Sequence, residues 1–261
     1  MPSDIEHAKR LSALAVDAGA EILKLYDGEI AIETKDDRSP VTAADQAAED
    51  VILAGLAGEM GLGHPVVSEE AAAAGYTPKV GSSFWLVDPL DGTKEFISKN
   101  GEFTVNIALI DNGAPVLGVV HTPALGEVYV GVNGSSGTSA QVSRGGAWTN
   151  ISCRPVPERS IVALVSRSHR SREVDAYIER FDIGEAVSAG SSLKFCRVAE
   201  GVADLYPRLG RTMEWDTAAA HAVLAAAGGH VETLDGNPLR YGKPGFENPH
   251  FVAYGAGRLP G

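Results

Sequence analysis

Ile5, Ala8, Leu11, Ala15, Ala18, Ile22 and Leu25 fall three or four residues apart, the spacing that lays apolar side chains along one face of a helix, and they predict an amphipathic helix over 4–26. Ala44, Ala48, Ile52 and Leu56 repeat the pattern beyond the polar stretch "ETKDDRSPV". That stretch reads as a loop, and Thr42 is placed to cap a second helix of about 17 residues. "HPVVSEE" and "SSFWLVDP" read as short strands, the first buried and ending in carboxylates. Between 102 and 110, Phe103, Val105, Ile107 and Leu109 alternate with Glu102, Thr104, Asn106 and Ala108, as in a strand with one face in the core and the other in water. Further strands are expected at 115–121 and 126–132, so the first half should hold an antiparallel sheet.

"GVNGSSGTSAQVSRGG" has the composition of a loop, and after it the pattern changes. "SIVALVS", helices near 171–181 and 191–200, "ADLYPR", a helix near 215–227 and strands near 230 and 251 alternate as in an α/β unit. The division is set near 150–155. Residues 1–152 then form an N-terminal α+β half with most of the candidate ligands, and 153–261 a C-terminal α/β half. The site is expected where they join, within one compact unit. The tail "GAGRLPG" reads as frayed.

Composition narrows the function. With 44% hydrophobic and 21% charged residues, 30 glycines and 14 prolines, the 261-residue chain has the profile of a turn-rich globular protein. No stretch approaches the roughly 20 apolar residues of a membrane span. The opening "MPSDIEHAKR" is charged where a secretory leader is apolar, which points to the cytoplasm. Cys153 and Cys196, the only cysteines, are too few for a disulfide framework and read as buried thiols. A formal net charge of −12 argues against a nucleic-acid polymer as partner, because no basic field is present to displace its counterions. A small anion held through a metal remains open.

The candidate chemistry is acidic. "VVSEE" supplies Glu69 and Glu70, "LVDPLD" Asp88 and Asp91, "TMEWD" Glu214 and Asp216, and "TAAD" Asp45. Pro89 presets a turn, so Asp88 and Asp91 can face one side with the Leu90 carbonyl between them. At about 5 Å and an effective dielectric near 20, two such carboxylates repel by roughly 3 kcal/mol. Protons or a cation must answer that repulsion. Oxygen ligands without His or Cys favour Mg²⁺, Mn²⁺ or Ca²⁺. Gly92 and Thr93 follow at once, and a Cβ-free turn opening a helix suits a phosphate oxygen. Carboxylate-held metal beside an anion cradle is equipment for phosphoester hydrolysis.

These segments are recognisable together. "DPLDGT", the upstream "SEE" and the downstream "EWDTAAAHAVLAAAGG" resemble the inositol monophosphatase superfamily of magnesium-dependent, lithium-sensitive phosphatases. "KDDRSPVTAADQAAE", "DPLDGTKEFISKNGEFTVNIALI" and "GSSLKFCRVAEGVADLYPRLGRTMEWDTAAAHAV" resemble its CysQ branch, the 3'(2'),5'-bisphosphate nucleotidases, from about residue 32 to 230. The resemblance implies an α+β fold, the layered αβαβα sandwich of the inositol monophosphatase and fructose bisphosphatase type. It implies removal of the 3'-phosphate of adenosine 3',5'-bisphosphate in sulfur assimilation, with two or three Mg²⁺ ions per site. By position, Glu69, Asp88, the Leu90 carbonyl, Asp91 and Asp216 resemble the metal ligands. Glu70 resembles the acid that orients the attacking water, and Thr93 with Asp45 the dyad that helps to deprotonate it. Where inositol phosphatases carry a Glu for sugar hydroxyls, this chain has Arg208, whose fork suits a second phosphate. Arg208, Lys194 and the Ser191-Ser192 turn are therefore candidate nucleotide contacts, beside Gly92, Thr93 and Asp216. The family also implies a monomer or homodimer, with peripheral association at the inner membrane as one option.

Other tempting residues read as structural. His221 lies on an alanine-rich helix, Trp85 and Trp215 read as packing, Lys94 and Lys99 as solvated charges, and Glu214 should point away from Asp216. Lys35 and Asp37 sit on a stretch that resembles the family's metal-proximal flap. Competing functions are an inositol or other sugar monophosphatase and, in another class, a metal-dependent nucleotide-binding regulator without turnover. No loop has the oxygen spacing of an EF-hand.

Overall fold

The apolar stripe of the first helix, α1 (Ile5–Tyr26), buries Ala8, Leu11, Ala15, Ala18 and Ile22, whereas Leu25 is exposed. The computed structural model describes residues 5–26, 32–34, 40–134, 137–167 and 171–260; Lys35 and Asp37 lie outside them. The stretch read as a loop contributes a short antiparallel pair, β1 (Ile32–Thr34) and β2 (Pro40–Thr42). Next, α2 (Ala43–Leu56) buries Ala44, Ala48, Ile52 and Leu56 and is shorter than expected, since the chain tightens into a 3₁₀ turn at Glu59–Gly61.

A large sheet follows from β3 (Val66–Ser68), β4 (Ser83–Asp91), β5 (Thr104–Asp111), β6 (Ala114–Thr122), β7 (Glu127–Gly134), β8 (Gly137–Arg144) and β9 (Ala147–Asn150). Its strands lie in sequence order, antiparallel except for the parallel pair β3 and β4. Short helices α3 (Glu69–Ala73) and α4 (Thr93–Ile97) leave the ends of β3 and β4. Two expectations are corrected here. The loop-like composition after Gly131 conceals β8, whose Ala140 and Val142 are buried while Gly137 and Thr138 are exposed. The second concerns β5, which is buried on both faces rather than one. Val105, Ile107 and Leu109 join the cluster containing α1 and α2, and Ala108 and Ile110 join the cluster on the opposite side.

The second sheet has the order β11-β10-β12-β14-β13, built from β10 (Ile161–Ser166), β11 (Ile183–Ala189), β12 (Leu205–Arg208), β13 (His230–Thr233) and β14 (Phe251–Tyr254). Helices α5 (Arg172–Ile178), α6 (Leu193–Ala199) and α7 (Ala218–Ala226) match the expected positions. Strand β11 was not expected. It is an edge strand whose "GEAVS" carries no apolar alternation, and it pairs only with β10.

Three hydrophobic clusters define the layers: α1 and α2 against the large sheet; α6 and α7 between the two sheets; α5 against the outer face of the second sheet. The order is therefore α, β, α, β, α, the α+β sandwich that was expected. The α6/α7 layer is held close by glycine. A Cβ on Gly118 would come within 2.1 Å of the Ala219 carbonyl, and one on Gly131 within 2.4 Å of Val223 Cα. Cys196 is buried and Cys153 only partly so, both as free thiols. Among the described residues, no helix is long and apolar enough to cross a membrane.

Candidate active site

Strand β4 carries an unbroken buried run from Ser83 to Leu90 and ends in Asp91. Pro89 has no N–H to give the ladder, and the pairing with β5 shifts register between Asp88 and Asp91. The chain then turns through Gly92 at φ 93°, where a side chain would be strained and its Cβ would meet Glu95 Oε2 and Ser191 Cβ at 3.3 Å. Parallel pairing sets Ser68 beside Val87, so Glu69, the next residue of its chain, opens α3 beside Asp88. Asp216 belongs to the turn that leads into α7, where its Oδ2 accepts the Met213 N–H at 2.9 Å. One carboxylate oxygen from each of Glu69, Asp88 and Asp216 falls within 4.8 Å of the others.

Such a group resists ionisation. At 4.8 Å and an effective dielectric of about 20, each pair of carboxylates repels by about 3.5 kcal/mol. Burial, then Glu69, Asp91, Asp216 and Asp45, push the Asp88 carboxyl well above the usual carboxylate range. Asp216 is raised well above that range too, by burial and then by Glu69 and Asp91. Oxygen donors gathered at this spacing suit a hard divalent cation, whose charge would answer the repulsion.

Asp91 stands slightly apart from that trio. Its Oδ2 accepts the Ser191 hydroxyl at 2.8 Å and the Ser192 N–H at 2.5 Å. Burial raises its carboxyl, opposed by Lys194 and the Ser191 hydroxyl. Lys194 is itself buried, pushed down to about 8 by desolvation, and donates to the carbonyls of Ala189 (3.2 Å) and Ser191 (2.6 Å).

A cleft of about 800 Å³ opens over these groups. Of the residues singled out from the sequence, Glu69, Asp88, Leu90, Asp91, Gly92, Thr93, Ser191, Lys194, Arg208 and Asp216 all line it. Asp45 is buried and close enough to raise Asp88, and Glu70 is half-buried; neither is part of the lining. The Thr93 hydroxyl is 3.5 Å from the Leu90 carbonyl. Lys94, Arg208 and Arg211 line the same cleft. Arg208 donates through one terminal nitrogen to the Arg211 carbonyl at 3.0 Å, while its buried Nε has no partner. Lys94 is exposed, as a solvated charge is, and also lines the cleft. The sequence reading did not single out Glu95, Thr104 or Asn106, buried polar residues beside these groups.

The residues set aside have partners within the fold. His221 Nδ1 lies 2.9 Å from the Tyr241 hydroxyl, and burial pushes the imidazole down to about 3. Glu214 turns away from Asp216 to accept the N–H groups of Gly242 and Lys243. Trp85 donates to the Gly61 carbonyl, Trp215 packs against Phe246 at the cleft wall, and Lys99 covers the Tyr26 ring at 4.7 Å.

The sequence model of the inositol monophosphatase family matches residues 5–254. A 3'(2'),5'-bisphosphate nucleotidase CysQ of Escherichia coli (strain K12) is 47% identical over 241 residues, which cover 91% of this chain and 95% of that protein. The crystal structure of CysQ from Bacteroides thetaiotaomicron, a bacterial member of the inositol monophosphatase family, has a TM-score of 0.79 at 37% identity, covering 97% of this chain and 98% of its own. An IMPase of Thermotoga maritima reaches a TM-score of 0.79 at 23% identity over 96% and 92% of the two chains, a likeness of fold alone.

Proposed function

Because the chain belongs to the inositol monophosphatase family, we infer that it is a metal-dependent 3'(2'),5'-bisphosphate nucleotidase, hydrolysing adenosine 3',5'-bisphosphate to AMP and phosphate. Relatives that carry this activity in their names match it along nearly the whole chain. The observation that carries the reading is a single cleft whose lining combines clustered carboxylates with the cations Lys94, Arg208 and Arg211. A substrate with two phosphates needs both.

In this reading Glu69, Asp88, the Leu90 carbonyl, Asp91 and Asp216 hold Mg²⁺, two or three ions per site. When bound, magnesium supplies the positive charge that acidifies a water and screens the scissile phosphate. The remaining work falls to the chain. Thr93 lines the cleft and Asp45 is buried; in this reading the pair takes the proton of the attacking water while Glu70 orients it. The turn at Gly92 lets backbone approach the phosphate without a side chain between them. Arg208, with an unpartnered Nε, is the group best placed to hold the phosphate that is not cleaved. No protein nucleophile is required.

The test is phosphate release from adenosine 3',5'-bisphosphate and from inositol 1-phosphate at equal enzyme concentration, with Mg²⁺ and again with chelator. Faster release from the bisphosphate, abolished by chelator, is expected. Faster release from inositol phosphate would make the protein a sugar monophosphatase, and binding without release would make it a regulator.

A further inference from the structure

Thr104 and Asn106 are polar side chains at 0% and 1% exposure in the middle of the large sheet, a placement that is destabilising unless every polar atom is satisfied. Antiparallel register sets Thr104 opposite Asp91 and Asn106 opposite Asp88. Both reach the turn that precedes α6. The Ser191 hydroxyl donates to Asp91 Oδ2 at 2.8 Å, and the Ser192 hydroxyl donates to Asn106 Oδ1 at 2.7 Å. A serine has one hydroxyl proton, so both protons are committed. Thr104 also has one hydroxyl proton, and it goes to Ser191 Oγ, the shorter contact at 2.5 Å, while Ser192 Oγ lies 2.9 Å away with no further proton between the two oxygens. Asn106 Nδ2 in turn donates to Thr104 Oγ1 at 3.0 Å. The hydrogen bonds therefore run one way, from Asn106 to Thr104 to Ser191 to Asp91, and the Ser192 N–H adds a second donor on the same carboxylate oxygen at 2.5 Å. Bonds aligned in this way polarise one another and favour a carboxylate in a single orientation.

We propose that Thr104 and Asn106 are positioning residues for Asp91: by fixing the Ser191 proton on Oδ2 they set the carboxylate plane and leave Oδ1 to the divalent cation. This rests on the reading of Asp91 as a metal ligand. Groups that orient a ligand from behind commonly change metal affinity by about 10–100-fold when removed.

The test is Mn²⁺ binding to the full chain, followed by the electron paramagnetic resonance signal of free Mn²⁺. Thr104→Val keeps the shape of the side chain and removes the hydroxyl, and it should weaken binding by about tenfold or more. Thr104→Ser keeps the hydroxyl and should restore binding to within a small factor of the native protein. In an Asp91→Asn background the Thr104→Val change should have no further effect, because it acts through Asp91. Binding by Thr104→Val as tight as native, with Asp91→Asn weakened, overturns the proposal and leaves the ligand assignment standing. An equal loss from Thr104→Val in both backgrounds also overturns it, as a general packing effect. Native affinity in Asp91→Asn overturns the ligand assignment itself. Should Thr104→Val not fold, Ser191→Ala removes the last hydroxyl of the series, and native affinity in that variant overturns the proposal.

Discussion

Asn in place of Asp88 keeps the shape of the side chain and removes a charge that burial and four neighbouring acids already disfavour. Asp88→Asn should therefore lower turnover by orders of magnitude while raising the melting temperature of the metal-free protein, by about 2–4 °C for each kcal/mol of repulsion relieved. Thermal unfolding in chelator checks this, and a lower melting temperature there would mean the acids are already compensated within the fold. Arg208→Glu should reduce activity on adenosine 3',5'-bisphosphate far more than on inositol 1-phosphate, since it replaces a phosphate-binding fork by a repelling charge. Parallel kinetics on the two substrates decide it; equal losses would remove Arg208 from the specificity role. At this scale much of the site was legible. The acids stand in short motifs where Pro89 and Gly92 fix the local backbone, so their chemistry can be read locally. Thr104 and Asn106 could not be found that way, because their partners Ser191 and Ser192 are more than 80 residues distant in sequence.

Helices and strands pass the site's geometry from one part of the chain to another. Asp216 enters the cleft from the turn before α7, and α7 lies against β6 and β7 at Gly118 and Gly131, where there is no room for a Cβ. Gly131→Ala should push the helix outward, cost about 1–3 kcal/mol of stability as overpacked cores do, and lower activity by moving Asp216. Urea unfolding and kcat measured on the same preparation test the link. Unchanged stability would show that the helix yields without strain, and lost stability with full activity would show that Asp216 is positioned by its own turn. The elements themselves were legible to different degrees. Apolar periodicity located α1, α2, α7 and most strands. It missed β8, whose glycine- and serine-rich composition resembles a loop, and β11, an edge strand with little apolar surface to bury. In β5 the alternation was read correctly but its polar face was assigned to water, because periodicity identifies a face and says nothing of what covers it.

The molecule as a whole balances its stability against a charge cluster shared by the end of β4 and the turn before α7. Asp88, Asp91 and Asp216 have carboxyls raised above their ordinary range, so the folded chain holds these protons more tightly than the unfolded chain. Their contribution to stability is gained as pH falls through the raised values and lost as pH rises above them. Divalent cations compete with those protons. The stabilisation given by saturating Mg²⁺ should therefore be larger at pH 8 than at pH 5.5, and Asp88→Asn should flatten that difference. Melting temperatures with and without Mg²⁺ at the two pH values measure it, and a pH-independent increment would remove the cluster as the binding site. The sequence by itself determined the family resemblance, the α+β class and the acids, because helix period, strand alternation and turn chemistry are properties of near neighbours. Only the tertiary structure decided that the polar face of β5 is buried, that Lys194 donates to the carbonyls of Ala189 and Ser191, and that Asp91 is held from behind by a one-way series of hydrogen bonds. Those facts depend on strand register and on the packing of α6 and α7 between two sheets, which bring together residues whose separation in sequence carries no signal of contact.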